Sequence, residues 1–280
     1  MMLVAIMSET RQIQNVRFGI KHGPRTAFIS PRDHNQCNPF MSWDHFEASK
    51  ITAKRPLQYH GYSGVETLCY PVSGSLLQND SIGSRILRSG DINVMNSGSG
   101  MIQRNTLLPH NGHIETFSLW TALPAGKEEM ANAASQSFPT QSLPLVEEKD
   151  STTKVLLGNY HAATSPGSCR TPVTLLDIII SPYGNWHFAP PENLTHGFIY
   201  IRSGSVYISG HQLHPSQMAT LKPSHLEILL KTGKIGARLF VALGKPLQQP
   251  FFTNRNSVHS SPENESKSTQ NIMQLLAKRP

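Results

Sequence analysis

The chain has 280 residues, 38% of them hydrophobic, with 25 Lys and Arg against 18 Asp and Glu and a net charge of +7. That length holds two domains of ordinary size, and the apolar content is enough for each to build a core. No stretch approaches the ~18 consecutive apolar residues that span a bilayer. The basic residues are scattered, without a basic run or aromatic-basic interleaving, so the positive balance does not itself point to nucleic acid.

The opening MMLVAIM is apolar but short, lacks a basic start and does not read as a signal peptide. Met7 is an alternative start to Met1. Cys37, Cys69 and Cys169 lie far apart with no C-x-x-C pair, which fits reduced thiols and a cytoplasmic protein better than a disulfide framework. The sequons at Asn79, Asn193 and Asn264 then carry no meaning. Short alternating runs follow between turn signals: VETLCYPV, SRILRSGDINVMN and ETFSLWTAL. Strands of this length, punctuated by Gly, Pro, Asn and Ser, predict an all-β sandwich or barrel.

Residues 124–153 are polar and proline-punctuated, and predict a connecting segment. VTLLDIIIS, GFIYIRSGSVYIS, LEILL and ARLFVAL then predict a second β unit. PVSGSLLQN and IRSGSVYISG form a weak internal echo, each a strand, a Ser-Gly-Ser turn and a strand, as two tandem barrels would produce. The expected division is 1–123, 124–153, 154–252 and a C-terminal arm, 253–280. In that arm FFTNRNSVHSSPENESKSTQ reads as irregular, and only NIMQLLAKR as one or two turns of helix.

Several blocks together resemble the pirin family of two-domain cupins. They are NPFMSWDHFEA (38–48), HGYSGVETLCYPVSGS (60–75), SGDINVMNSGSGMIQRN (89–105) and FSLWTALPA (117–125). In the second half LLDIIISPYG, GFIYIRSGSVYISG and ALGKPLQQPF continue the resemblance in the family's order, over about residues 10–252. The resemblance implies a bicupin with one metal, typically Fe(II), in the N-terminal barrel. The implied ligands are two His of the first motif and a His and Glu of the second. It further implies either ring-opening oxygenation of flavonols, as in quercetin 2,3-dioxygenase, or a role as a transcription-associated cofactor or regulator.

Carried over position by position, the four ligand places fall on His60, Tyr62, Gln103 and Asn105. One imidazole remains of three, and the carboxylate is gone. Amide oxygens are weak ligands for a transition metal, and Tyr62 would have to ionise from a pKa near 10. If the strand stays regular, Glu66 shares a face with His60 and Tyr62, because side chains alternate with period two. These five residues are the expected cavity set. His113 and Glu115 recreate a His-x-Glu step ten residues downstream, while Trp186, His187 and His196 gather in the second half without a second pair. The expectation is a non-catalytic protein that holds a small molecule in its N-terminal cavity or a protein partner on its surface. An Fe(II)-dependent quercetin 2,3-dioxygenase-type oxygenase with altered ligands is one alternative, and a transcription-associated cofactor the other.

Overall fold

The computed structural model describes residues 10–278. The MMLVAIM opening, and with it the choice between Met1 and Met7, lies outside the described residues. The first half supplies β1 (Ile13–Phe18), β2 (Ile20–His22), β3 (Arg25–Ile29), β4 (Phe40–Ala48), β5 (Arg55–Pro56) and β6 (His60–Tyr62). It continues with β7 (Val65–Ser73), β8 (Ser75–Asp80), β9 (Ser84–Leu87), β10 (Ile92–Asn96), β11 (Met101–Leu108) and β12 (Ile114–Ala122). Then come β13 (Ala134–Phe138), β14 (Leu145–Glu147), β15 (Ser151–Leu157), β16 (Asn159–Tyr160), β17 (Ala163–Thr164) and β18 (Val173–Ile180). The chain closes through β19 (Asn185–Phe188), β20 (His196–Ile208), β21 (His211–Leu213), β22 (Gln217–Leu221), β23 (Ile228–Gly244), β24 (Phe252–Asn254) and β25 (Ser257–His259). The fold is all-β, and its strand ladders are antiparallel.

Two sheets enclose the first barrel. One runs β13-β10-β7-β12-β4-β3-β2; the other runs β5-β11-β8-β9, with β6 added on β11. The second half forms a sheet in the order β1-β22-β20-β23-β18-β15-β14, with β19 on β23 and β21 on β20. β1 lies within residues 1–123 yet pairs with β22, Val16 opposite Ala219. Residues 124–153 carry an edge strand for each half, β13 on β10 and β14 on β15. The polar run ASQSF holds as a strand because Ser135 and Ser137 both donate to Asn93 Oδ1, at 3.1 and 3.0 Å.

The period-two alternation of β4, β7 and β12 sorts their side chains onto two faces. One face carries Trp43, Leu68, Tyr70, Phe117 and Leu119 into a core shared with Leu175, Phe198, Tyr200 and Phe240 of the second half. Trp43 is its centre, stacked on Phe117 at 5.5 Å and packed against Phe198 and Phe240 at 5.3 and 5.2 Å. Polar links ring this apolar contact. Tyr70 donates its hydroxyl to Asp177 at 2.9 Å, and Arg202 donates to both oxygens of Glu115 at 3.1 and 3.0 Å. The opposite face of the same strands looks into the first barrel.

The C-terminal arm is ordered, contrary to the irregular reading of its first twenty residues. β24 and β25 form a hairpin and Pro262–Ala277 form a sixteen-residue helix, α1. Its start is written in SSPENE: Ser261 accepts from the Asn264 backbone N–H, Pro262 occupies the first turn, and Glu263 and Glu265 sit at the positive end of the helix dipole. Glu129, fully buried in the connecting segment, anchors the arm by accepting from the Ser260 N–H and hydroxyl at 2.9 and 2.8 Å and from the Asn264 amide. The arm lies over the break between β6 and β7. There Ser63 bonds Ser257 at 2.9 Å and His259 at 3.0 Å, and Gly64 has φ +64° with a Cβ position 1.8 Å from the Val258 carbonyl oxygen. Only glycine fits that approach.

Candidate ligand cavity

Between the two sheets of the first barrel lies a cavity of about 170 Å³. Its wall follows from the register. Asn105 stands opposite Gln78 and Leu107 opposite Leu76 across β11 and β8. Cys69, Ser118 and Asp44 form a row across β7, β12 and β4, and Thr67 stands opposite Trp120. Tyr62 enters from β6, edge-on to Trp120 at 5.4 Å. The polar floor is therefore made of amides: Gln78, Gln103 and Asn105, the first only 1% exposed. Gln78 Oε1 and Asn105 Oδ1 are buried and accept from no protein donor, whereas Gln103 Nε2 rests 3.6 Å from Met95 Sδ. A buried acceptor without a partner is a site where a bound molecule or water regains the lost hydrogen bond.

Asp44 is the carboxylate of the wall. Its two oxygens lie 2.8 and 2.9 Å from Arg25 Nη2, and Ser42 donates to it at 2.7 Å. Burial raises its pKa and Arg25 lowers it in opposition, with burial prevailing. Burial pushes the Cys69 thiol up to about 12 and raises the Tyr62 phenol above its ordinary value.

The cavity takes only part of the set expected from sequence. Tyr62, Gln103 and Asn105 line it together. His60 does not: it is exposed and lines a groove of about 530 Å³ beside Tyr59, Gly61, Thr269 and Ile272. Glu66 does not either. The strand breaks at Ser63 and Gly64, so alternation restarts at Val65 with the parity reversed, and Thr67 and Cys69 face the cavity instead. Glu66 joins the face turned to the second half, where it accepts from the Arg170 N–H at 2.6 Å. Burial raises its pKa to about 7, against the opposing pull of that N–H and the Cys169 thiol.

The relocated pair is also separate from the cavity. His113 lies 3.0 Å from Ser73 and 3.2 Å from Glu47, while Glu115 binds His45 and Arg202 in the contact between halves. In the second half Trp186 is core and donates to Thr153 at 3.0 Å, His187 is exposed, and His196 bonds Thr195 at 3.0 Å. Sequence reasoning missed Arg25, Asp44 and Gln78. The alternation of β4 and β8 was the available signal, but it required knowing which face of each strand turned inward.

A family model described as Pirin matches residues 22–121. The chain is 24% identical to the pirin-like protein of Caulobacter vibrioides over 81% of its own length and 80% of that protein's. Pirin-like proteins thus align with most of the chain, and the family model with its first half. The chain superposes on quercetin 2,3-dioxygenase from Acinetobacter baumannii with a TM-score of 0.85 at 20% identity, covering 95% and 98% of the two chains. On bacterial pirin YhhW from Escherichia coli, in complex with nickel(II), it superposes at 0.63 with 13% identity over 86% and 100%. Those matches identify the bicupin fold.

The donors of the cavity decide whether it fits the metal that the resemblance implies. Imidazole and carboxylate suit ferrous iron, but no histidine lines the cavity and its carboxylate is engaged by Arg25. The thiol and the phenol are held protonated by burial, and the amides offer weak neutral oxygens. Among the described residues no three His, Cys, Asp or Glu side chains gather as a metal-holding group. The donor set does not fit the ion. No helix of the described residues is long and apolar enough to cross a membrane.

Proposed function

We propose that the chain is a binding protein that holds a small polar molecule in its N-terminal cavity without a transition metal. The observation that carries the reading is the amide floor, with Gln78 Oε1 and Asn105 Oδ1 buried and without protein donors. In a pirin of the metal type, charged or strongly coordinating groups would balance an ion there. Here neutral hydrogen-bonding groups stand at the inward family positions. The cavity volume, about 170 Å³, is also below the ~300–1,000 Å³ of sites that enclose drug-sized ligands. That size disfavours a flavonol as the enclosed ligand.

Elemental analysis of protein purified without chelators tests the metal half of the reading. Iron well below one equivalent is expected, and stoichiometric iron overturns it. A library of small polar molecules, followed through the indole signal of Trp120 in the cavity wall, tests the binding half; saturable shifts are expected. The competing reading is a quercetin 2,3-dioxygenase-type oxygenase, favoured by likeness to the Acinetobacter fold. Quercetin-dependent oxygen uptake by the purified protein would establish it instead.

A further inference from the structure

Beside the cavity lies an open groove of about 660 Å³, formed largely by residues 48–57 and contiguous with the cavity wall at Phe46, Leu57 and Leu107, which line both. The groove carries Lys50, Lys54 and Arg55 and no acidic side chain. Among the described residues none of these three cations has a carboxylate within 4.0 Å, although the chain's other arginines are often paired. Arg25 stands in the cavity wall with its side chain 46% exposed, and Asp44 uses only its Nη2. The approach is therefore cationic, while the floor is neutral and short of donors. Such an arrangement concentrates anions at the entrance by long-range attraction and offers a charge-assisted fork to a carboxylate.

Resting on the cavity as a binding site, we propose that its ligand is a small hydroxylated carboxylic acid. The acid group faces Arg25 and the Lys50, Lys54 and Arg55 approach. Its hydroxyls donate to Gln78 Oε1 and Asn105 Oδ1, two amide oxygens of the floor that are buried without a protein donor. A purely cationic ligand would be repelled at the entrance. A plain dicarboxylate would leave the floor unsatisfied, and a neutral polyol would make no use of the four positive charges.

Four four-carbon or smaller probes separate these chemistries by calorimetry and by the Trp120 indole resonance: tartrate, succinate, erythritol and ethanolamine. Tartrate is expected to bind about tenfold or more tightly than succinate or erythritol, with ethanolamine inert and tartrate affinity falling as salt rises. Lys54→Gln with Arg55→Gln, on the exposed rim, should weaken tartrate and remove most of that salt dependence. Arg25→Gln should abolish the preference for tartrate over erythritol. Because that change strands Asp44, the neutral pair Arg25→Gln with Asp44→Asn is the control for folding. If erythritol or ethanolamine shifts Trp120 as strongly as tartrate, the acid assignment fails while the binding cavity stands. If no probe and no member of the polar library shifts it, both fail together.

Discussion

At the scale of single residues, Glu66 shows how one side chain sets a pH response. Its carboxyl is buried against the second half beside the Arg170 N–H and the Cys169 thiol, and the Arg170 guanidinium is paired with Glu128 at 3.2 Å. A folded pKa near 7 against an ordinary 4.5 means that the folded state holds the proton more tightly. Below about pH 4.5 both states are protonated and the group contributes nothing. As pH rises through the window from about 4.5 to 7 stability falls, by up to about 3 kcal/mol, and above 7 the loss is complete. Glu66→Gln should therefore be more stable than the parent at pH 8 and nearly equal to it at pH 4.5, measured by urea unfolding; a difference independent of pH would refute this account. The cavity positions invite a second test. Tyr62→His, Gln103→His and Asn105→Glu together should create divalent-metal uptake, read by elemental analysis after dialysis against nickel(II). A folded triple variant that stays metal-free would mean that these three positions do not converge.

At the scale of elements, α1 and the hairpin before it hold the strand break in place. Ser261→Ala removes a cap and should cost about 1 kcal/mol, visible as faster hydrogen exchange in the first turn of α1 alone. Gly61→Val is expected to do more, because even a Cβ at that position lies 2.3 Å from Ile272. It should displace α1 and speed exchange along the whole helix, while the sheets keep their protection. The all-β class was legible from alternation, and the inward place of Tyr62, Gln103 and Asn105 from the motif positions. Glu66 and His60 were not, for one shared reason. Period-two reasoning carries across a strand only while the strand is unbroken, and the Ser63–Gly64 break depends on contact with Val258, nearly two hundred residues away. The helix was legible in principle, since a Ser-Pro-acidic start is a local signal. Its first turns hide it, because residues 263–271 are all polar and leave no apolar periodicity.

At the scale of the molecule, the two halves share one aromatic core around Trp43, which packs against Phe198, Tyr200 and Phe240 of the second half. Aromatic pairs of this kind contribute roughly 0.5–1.5 kcal/mol each beyond the area they bury. The full chain is expected to unfold in a single transition, with circular dichroism and tryptophan fluorescence coincident. A fragment of residues 1–153 should be molten or insoluble, since it would expose Trp43 and Phe117 and leave β1 without β22. Two separate transitions in the full chain would contradict this.

The placement of β1 also has a consequence for how the chain comes into being. Arg11 and β1 are the beginning of the described chain, yet Arg11 is buried against the Leu194 and Thr195 carbonyls, and Val16 is matched to Ala219. At ~5–20 residues per second β1 is made roughly 10–40 s before its partner β22. During that interval an unpaired edge waits beside an incomplete neighbour, where pairing with another nascent chain competes with closure. Closing the second sheet thus joins two strands made some two hundred residues apart.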